Sequence, residues 1–578
     1  MGYTSERNTQ IVIYLMKAHG IKKVVASPGA QNVSFIASIS NDPFFEVFSC
    51  VDERSAAYIA CGLSAESGEP VAISCTGATA SRNYLPGLTE AFYRKLPILA
   101  ITSTPPTGRI GHNMPQVIDR TTPLNDICKI SVEIPEVYDD ESEWTCVTRL
   151  NKAMLELKHR GEGPVHINLI TTYSGTFDVQ EIQPVGVINR VTERGPFPSI
   201  KGKRIGVFVG AHRKWSTELT QLVDEFCESY NAAVLCDHTS NYKGKYRVMA
   251  SLVTSQQLYV SPCIRMDILI HIGDVSGAYL SLYPTEVWRV NPDGEVRDTF
   301  KKLRYVFEME EETFFKNYVE GKSGTYTGNT YFNEWSSEYS RLKDRIPELP
   351  FSNIWIAEHT ASRLPENSVL HLGILNSLRS WNFFEIPDSV LTYSNTGGFG
   401  IDGCVSSLLG ASLANANKLF IGIVGDLAFF YDINVLGNRH VGPNMRLMVI
   451  NNGRGTEFRN YGHRAAQFGD ETDKFIAAAG HFGNKSSKLV KFYSENLGFH
   501  YLSATNKHEY LAVVDQFLTT ETTDKPILLE VFTDSAEESE ALKIMYNLQT
   551  SGAVKAKRAV KNILGEKGVK TIRKMLRS

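Results

Sequence analysis

Leu419-Phe420-Ile421-Gly422-Ile423-Val424-Gly425-Asp426-Leu427 and Met445-Arg446-Leu447-Met448-Val449-Ile450-Asn451-Asn452 decide the fold of this 578-residue chain. Each is an apolar run that ends in a polar group, the pattern of a strand buried on both faces. Asp426 and Asn452 lie 26 residues apart, so a carboxylate and an amide are expected at the carboxyl ends of two neighbouring strands. Both are hard oxygen ligands, which suit Mg²⁺ holding a diphosphate. The crevice outside such strand ends is where open α/β sheets bind ligands.

Similar runs extend in both directions. Strands are predicted at Lys23 to Ala26, Phe45 to Val51, Val71 to Cys75, Pro97 to Thr102 and Val165 to Leu169, with apolar-periodic helices at Glu53 to Ser64 and Ser81 to Arg94. Continuous apolar strands alternating with helices predict parallel sheets covered on both faces. The expected class is α/β: three doubly wound, mainly parallel-sheet domains over 1–182, 200–320 and 352–535, then a basic tail over 553–578. A stretch containing Pro and Gly near 183–201 and the Pro-containing Ile346-Pro347-Glu348-Leu349-Pro350 read as linkers.

Composition excludes several classes. Net charge is −3, which gives no bias towards nucleic acid. The nine cysteines are scattered without a CxxC pair, so neither a zinc site nor a disulfide framework is expected, and a reducing cytoplasm fits. No run of about 20 apolar residues predicts a membrane span, and the N-terminus lacks a signal-like apolar core. The tail carries nine Lys/Arg and one acid, so it is +8 while the remaining chain is −11. Two readings fit it: a basic arm packing on a neighbouring subunit, or an amphipathic segment making peripheral contact with an anionic membrane or an acidic partner.

Three further segments carry chemistry. Asp52-Glu53-Arg54 stands at a strand-to-helix junction, where acids ordinarily favour the positive end of the helix dipole. Cys75-Thr76-Gly77-Ala78-Thr79-Ala80-Ser81-Arg82-Asn83 follows an apolar strand, and its small residues let backbone approach a ligand. Ser394-Asn395-Thr396-Gly397-Gly398-Phe399-Gly400-Ile401-Asp402-Gly403 leads into a helix; it is either an anion-binding corner or a loop shaped for packing.

Taken in this order, these landmarks resemble thiamine diphosphate-dependent enzymes of the pyruvate decarboxylase and acetolactate synthase superfamily, over residues 1–535. The nearest branch resembles the SEPHCHC synthases of menaquinone biosynthesis. The likeness rests on Ser27-Pro28-Gly29, Asp52 to Leu63, Pro115 to Asp119, Asn376-Ser377-Leu378, Gly400 to Gly403 and Gly425 to Asn434. It implies that Glu53 hydrogen-bonds the aminopyrimidine of the cofactor and so activates the thiazolium carbon. That carbon attacks a 2-oxoacid, and the ring acts as electron sink for decarboxylation. It also implies Mg²⁺ held by Asp426, Asn452 and the backbone carbonyl of Arg454. Ile401 would lie beneath the cofactor, which would also be bound by Ser27, Pro28, Gly29, Thr76, Asn83, Ser377, Gly400, Gly425, Asp426 and Leu427. Family sites form between subunits, so a homodimer or dimer of dimers is expected.

The chain departs from that branch where substrate is gripped. Gln31, Thr396 and Trp381 stand at or near the positions of the branch's arginines, with Arg379 two places before Trp381. Losing one such charged pair costs about 2–5 kcal/mol of binding. Gln31, Asn32, Thr396 and Trp381 are therefore candidate substrate contacts for a small 2-oxoacid and an uncharged, carbohydrate-like acceptor. His112 and Gln116 are further catalytic candidates, although a loop histidine is ordinarily structural or exposed. Glu457 either manages protons or lies on a solvated loop. Competing functions are simple decarboxylation, C–C hydrolysis of a cyclic dione, and a cofactor-binding scaffold without catalysis. Ala78 replaces a glycine of the branch's turn, whose backbone freedom is thereby in question.

Overall fold

The computed structural model describes residues 2–278, 280–321, 328, 330–481 and 485–551; the predicted basic tail lies outside them. The chain forms two compact units, Met1–Pro196 with Asp293–Glu308, and Phe197–Pro292 with Met309–Ser578.

The first unit is built on six parallel strands: β1 (Lys23–Ala26), β2 (Glu46–Ser49), β3 (Val71–Thr76), β4 (Ile98–Thr104), β5 (Ser131–Ile134) and β6 (Val165–Ile170). Their order is β2-β1-β3-β4-β6-β5. Strand side chains alternate between faces, and β4 shows the consequence. Leu99 and Ile101 join the core under the helices Arg7–Ala18 and Asp140–Glu156. Ile98 and Ala100 join the core under Glu53–Ser67 and Leu85–Arg94. Both faces are covered, so the strand reads as uninterrupted apolar sequence. A short strand, β7 (Asn189–Thr192), follows.

The second unit holds β8 (Ile205–Val209), β9 (Ala232–Cys236), β10 (Arg247–Met249), β11 (Arg265–Ile272) and β12 (Tyr283–Val290), parallel in the order β10-β9-β8-β11-β12. Next in the chain, β13 (Leu303–Glu308) belongs to the first unit and pairs parallel with β7. The second unit then adds β14 (Val369–Leu372), β15 (Leu391–Tyr393), β16 (Phe420–Gly425), β17 (Met445–Asn451), β18 (His500–Ala504) and β19 (Ile527–Phe532). These six run parallel in the order β15-β14-β16-β17-β19-β18. The opening pair of runs is thus β16 and β17, adjacent and in register with Gly425 opposite Ile450.

Two turns of the first unit interlock. Ser27 N–H donates to the Ser74 carbonyl (2.9 Å), and a Cβ on Gly29 would sit 2.7 Å from Thr76 Cβ. Only glycine permits that approach. After β3, Gly77 N–H donates to the Ser103 carbonyl (2.6 Å), and Ala78 adopts φ 58°. That is the left-handed region, where a Cβ is penalised. The turn keeps its conformation with alanine and carries the strain. Ala78→Gly is therefore expected to stabilise the first unit by about 1 kcal/mol, read as a rise in its thermal midpoint; a lower midpoint would contradict the strain.

Candidate active site

Asp426 is the first residue of the helix Asp426–Tyr431 and lies one position beyond β16. Its side chain is 4% exposed. The carboxylate faces the backbone amides of Leu427, Gly453 and Arg454. Burial nonetheless pushes its pKa up to about 7. A second buried carboxylate, Glu538, accepts from Asn353 N–H (3.0 Å) and from the Thr533 hydroxyl (2.7 Å). Burial, reinforced by the nearby Asp426 charge, also raises Glu538 to about 7. Among the described residues no Lys, Arg or His forms an ion pair with either. The two carboxylates line one crevice of about 100 Å³ in the second unit.

The adjacent asparagines divide their work because successive strand residues face opposite ways. Asn451 Nδ2 donates to Glu530 Oε1 (2.7 Å) inside the sheet. Asn452 lines the crevice, and its Oδ1 accepts from the Thr456 hydroxyl (2.7 Å). Carboxylate, amide oxygen and the neighbouring Arg454 carbonyl are the hard oxygen set that suits Mg²⁺. A Cβ at Gly425 would meet no protein atom within 4 Å, so packing does not demand glycine and the space before the strand end is open. These observations fit a divalent cation carrying a diphosphate. No group of three or more His, Cys, Asp or Glu among the described residues makes a metal site without such a ligand.

The same crevice brings together Ser377, Ile401, Leu427 and Glu457. Ile401 also packs against the core beneath β16 and β17. Ser377 Oγ accepts from Asn353 Nδ2 (3.3 Å). Gly400 is half-buried in the loop before the helix Cys404–Leu413, and Thr396 is buried in the same loop.

In the first unit, Asp52 caps the helix Glu53–Ser67, its side chain accepting from the backbone of Arg54 and Ser55. The acid-at-helix-start role thus belongs to Asp52, and Glu53 Oε2 accepts from Asn83 Nδ2 (3.1 Å). Ser27 is buried with its hydroxyl unpaired, Gly29, Gln31 and Thr76 are half-buried, and Pro28 is exposed. His112 and Gln116 lie exposed on the long loop between β4 and β5.

Three expectations are corrected. Trp381 is wholly buried and donates its indole N–H to Asn353 Oδ1 (3.3 Å), so it is a core side chain and no substrate wall. Asn32 is 1% exposed and donates to the Ser27 carbonyl (3.0 Å), so it braces the turn. Glu457 grips Arg379 in a two-bond fork, Oε2 to Nη1 at 2.8 Å and Oε1 to Nη2 at 2.9 Å. Burial raises the Glu457 carboxyl, but the guanidinium outweighs it and leaves the group below its usual range. A carboxylate so held is a poor proton carrier. The fork, Glu538 and Asn353 were not singled out in the sequence. Glu538 reads there as one more acid in the first turn of a helix.

Residues 7–122 match the family described as thiamine pyrophosphate enzyme, N-terminal TPP binding domain. The chain is 29% identical over 574 residues to the 2-succinyl-5-enolpyruvyl-6-hydroxy-3-cyclohexene-1-carboxylate synthase of Bacteroides fragilis, covering 94% of this chain and 99% of the relative. The synthase of the same name from Phocaeicola vulgatus is 29% identical over 571 residues, again covering 94% and 99%. Among solved structures, a thiamine diphosphate-dependent 4-hydroxybenzoylformate decarboxylase of Rhodococcus jostii RHA1 aligns with a TM-score of 0.40 and 14% identity, over 91% of this chain and 99% of that one. The chain is a thiamine diphosphate-dependent enzyme. Within that class it stands nearest the SEPHCHC synthase branch.

The buried carboxylates give a pH signature. Both Asp426 and Glu538 have folded values, about 7, above those of the unfolded chain, so between these limits the fold holds extra protons. Their contribution to stability then falls as pH rises from about 4 to about 7 and levels off above. Melting cofactor-free wild type beside Asp426→Asn should show the wild type losing ground between about pH 4 and pH 7. A midpoint difference independent of pH would rule out the raised Asp426 value.

Proposed function

We propose that the enzyme decarboxylates a small 2-oxoacid and transfers the acyl group to a polar, uncharged, carbohydrate-like acceptor. One observation carries the substrate part. Glu457, which lines the crevice, grips Arg379 in a two-bond fork, and Arg454 in the same lining pairs with Asp473 at 2.8 Å. A guanidinium held in such a fork, as Arg379 is, does not grip a substrate carboxylate bidentately. The crevice therefore suits a donor whose only anionic group is its 2-oxoacid carboxylate.

Thiamine diphosphate, when bound, supplies an electron sink at the former carbonyl carbon. The chain's residues supply the rest. Asp426, Asn452 and the Arg454 carbonyl would hold Mg²⁺ on the diphosphate, with Ser377, Gly400, Gly425 and Leu427 around it. Ile401 would support the cofactor from the core side. Glu53, oriented by Asn83, would hydrogen-bond the aminopyrimidine, and Ser27, Pro28, Gly29 and Thr76 would shape its seat. Gln31 and Thr396 are polar, uncharged substrate contacts. His112 and Gln116, exposed on their loop, are proton-handling candidates for a site closed by substrate. Val51, Tyr58 and Ile59, exposed beside Glu53, are a surface that a second copy would cover, which supports a homodimer or dimer of dimers. No helix among the described residues is long and apolar enough to cross a membrane.

The test is a stopped-reaction NMR panel of 2-oxoacids on the protein loaded with thiamine diphosphate and Mg²⁺, followed by product analysis with sugars as acceptors. Pyruvate or a similarly small donor should release CO₂; no decarboxylation across the panel would sink the reading. Glu53→Gln should retain cofactor yet turn over at least about 10²-fold more slowly. Asp426→Ala should lose Mg²⁺-dependent cofactor retention on gel filtration. Glu457→Ala, by releasing Arg379, should shift preference from pyruvate towards 2-oxoglutarate by about tenfold. An unchanged ratio would show that the fork does not set donor charge.

A further inference from the structure

Beyond Arg379 the second unit holds another cavity, of about 160 Å³. Leu375 lines both it and the crevice of Asp426, so the two adjoin. Two buried polar groups in its wall have no protein partner. Asn382 is 1% exposed; its Oδ1 accepts from His238 N–H (2.9 Å), while its Nδ2 is unpaired. Ser251 is 7% exposed, and its hydroxyl is unpaired. Buried polar atoms are nearly always satisfied, so two orphans on residues that line one cavity point to a ligand or ordered water there. The phenol of Tyr546 adds a third polar group, against the apolar faces of Phe383 and Phe399.

The size and charge of the space narrow the ligand. About 150 Å³ accommodates one benzene-sized ring. Among the described residues that line it Arg379 alone is charged, and Glu457 neutralises it. An anionic group would find no uncompensated charge here, whereas hydroxyls would meet Asn382 Nδ2, Ser251 Oγ and the Tyr546 phenol. The backbone at the boundary is held in costly conformations: Leu375 has φ 69° and ψ −115°, and Phe399 has φ 54°. Such strain in non-glycine residues concentrates at ligand-binding positions.

We infer that this cavity is a subsite for a neutral, hydroxylated six-membered ring, the acceptor's ring in the reaction proposed above. It rests on that reading for its place in catalysis, but the binding itself is measured without any 2-oxoacid. The probes are myo-inositol, D-glucose and D-galactose, with quinate as the carboxylated ring, titrated by calorimetry and saturation-transfer NMR into full-length protein carrying thiamine diphosphate and Mg²⁺. At least one neutral ring should bind saturably, and quinate about tenfold more weakly or not at all. Ser251→Ala removes a hydroxyl that no protein atom uses. It should leave the thermal midpoint unchanged and weaken ring binding about fivefold, the worth of one neutral hydrogen bond. Ser251→Leu, which fills the space, should abolish binding. The assignment is overturned if no neutral ring binds, if quinate binds as tightly, or if Ser251→Ala leaves the affinity intact. Failure of the 2-oxoacid panel alone would remove the proposed reaction and is read in a separate assay.

Discussion

A buried carboxylate without a protein cation sets the terms for the whole site. Asp426 is 4% exposed and faces three backbone amides, which leave its pKa at about 7. Isolated charges in a low-dielectric interior are expensive, so such a group is either protonated or paired. Parallel pairing of β16 and β17 puts Asn452 and the Arg454 carbonyl beside it, and nothing basic. The same strand shows how the fold treats a buried charge meant to stay with the protein. Arg446, fully buried near the start of β17, donates to the carbonyls of Phe517, Thr519 and Glu521. The start of β17 thus carries a charge that backbone carbonyls surround, whereas the carboxylate just beyond the end of the neighbouring β16 has no protein cation beside it.

That asymmetry governs charge across the crevice. The guanidiniums that could balance Asp426 are turned away, Arg454 to Asp473 and Arg379 to Glu457. The uncompensated charge is therefore negative and concentrated where a cation would sit. Apart from Arg379 the described lining of the adjoining cavity is neutral, polar at Ser251, Ser255, Asn382 and Tyr546 and otherwise apolar. On the proposed reading, cation, diphosphate and an uncharged partner would follow one another along this gradient without any group facing a like charge.

The sheets and the Asp426–Asn452 pair were legible because burial on both faces writes itself as uninterrupted apolar sequence, and polar residues stop it at the strand ends. Strand β5 was not, since Ser131 and Glu133 interrupt it and its edge position relieves the need for a continuous apolar run. Side-chain partnership was the other loss. Arg379 and Glu457 are 78 residues apart, and only the packed fold makes them a fork. Trp381 was read as a wall because an aromatic near a site has no sequence mark of which way it points. The short helix Asn376–Trp381 turns it into the core while Arg379, two positions earlier, reaches Glu457.

Strain marks the same places by an independent route. Ala78, Leu375 and Phe399 all hold positive φ without being glycine. Ala78 and Phe399 sit in two of the segments the sequence singled out, after β3 and before Cys404–Leu413, and Leu375 immediately precedes the helix Asn376–Trp381. Conformations of this kind persist only where surrounding structure over-determines them; Ala78 follows the buried strand β3, Leu375 follows β14, and Phe399 follows the edge strand β15. The rigid parallel sheets thus hold loops that would relax in isolation. In the second unit, Leu375 and Phe399 both border the neutral cavity, with Leu375 also reaching the Asp426 crevice. The backbone there is fixed by the sheet before any ligand arrives, so the cost of ordering these loops is met in folding and not in binding.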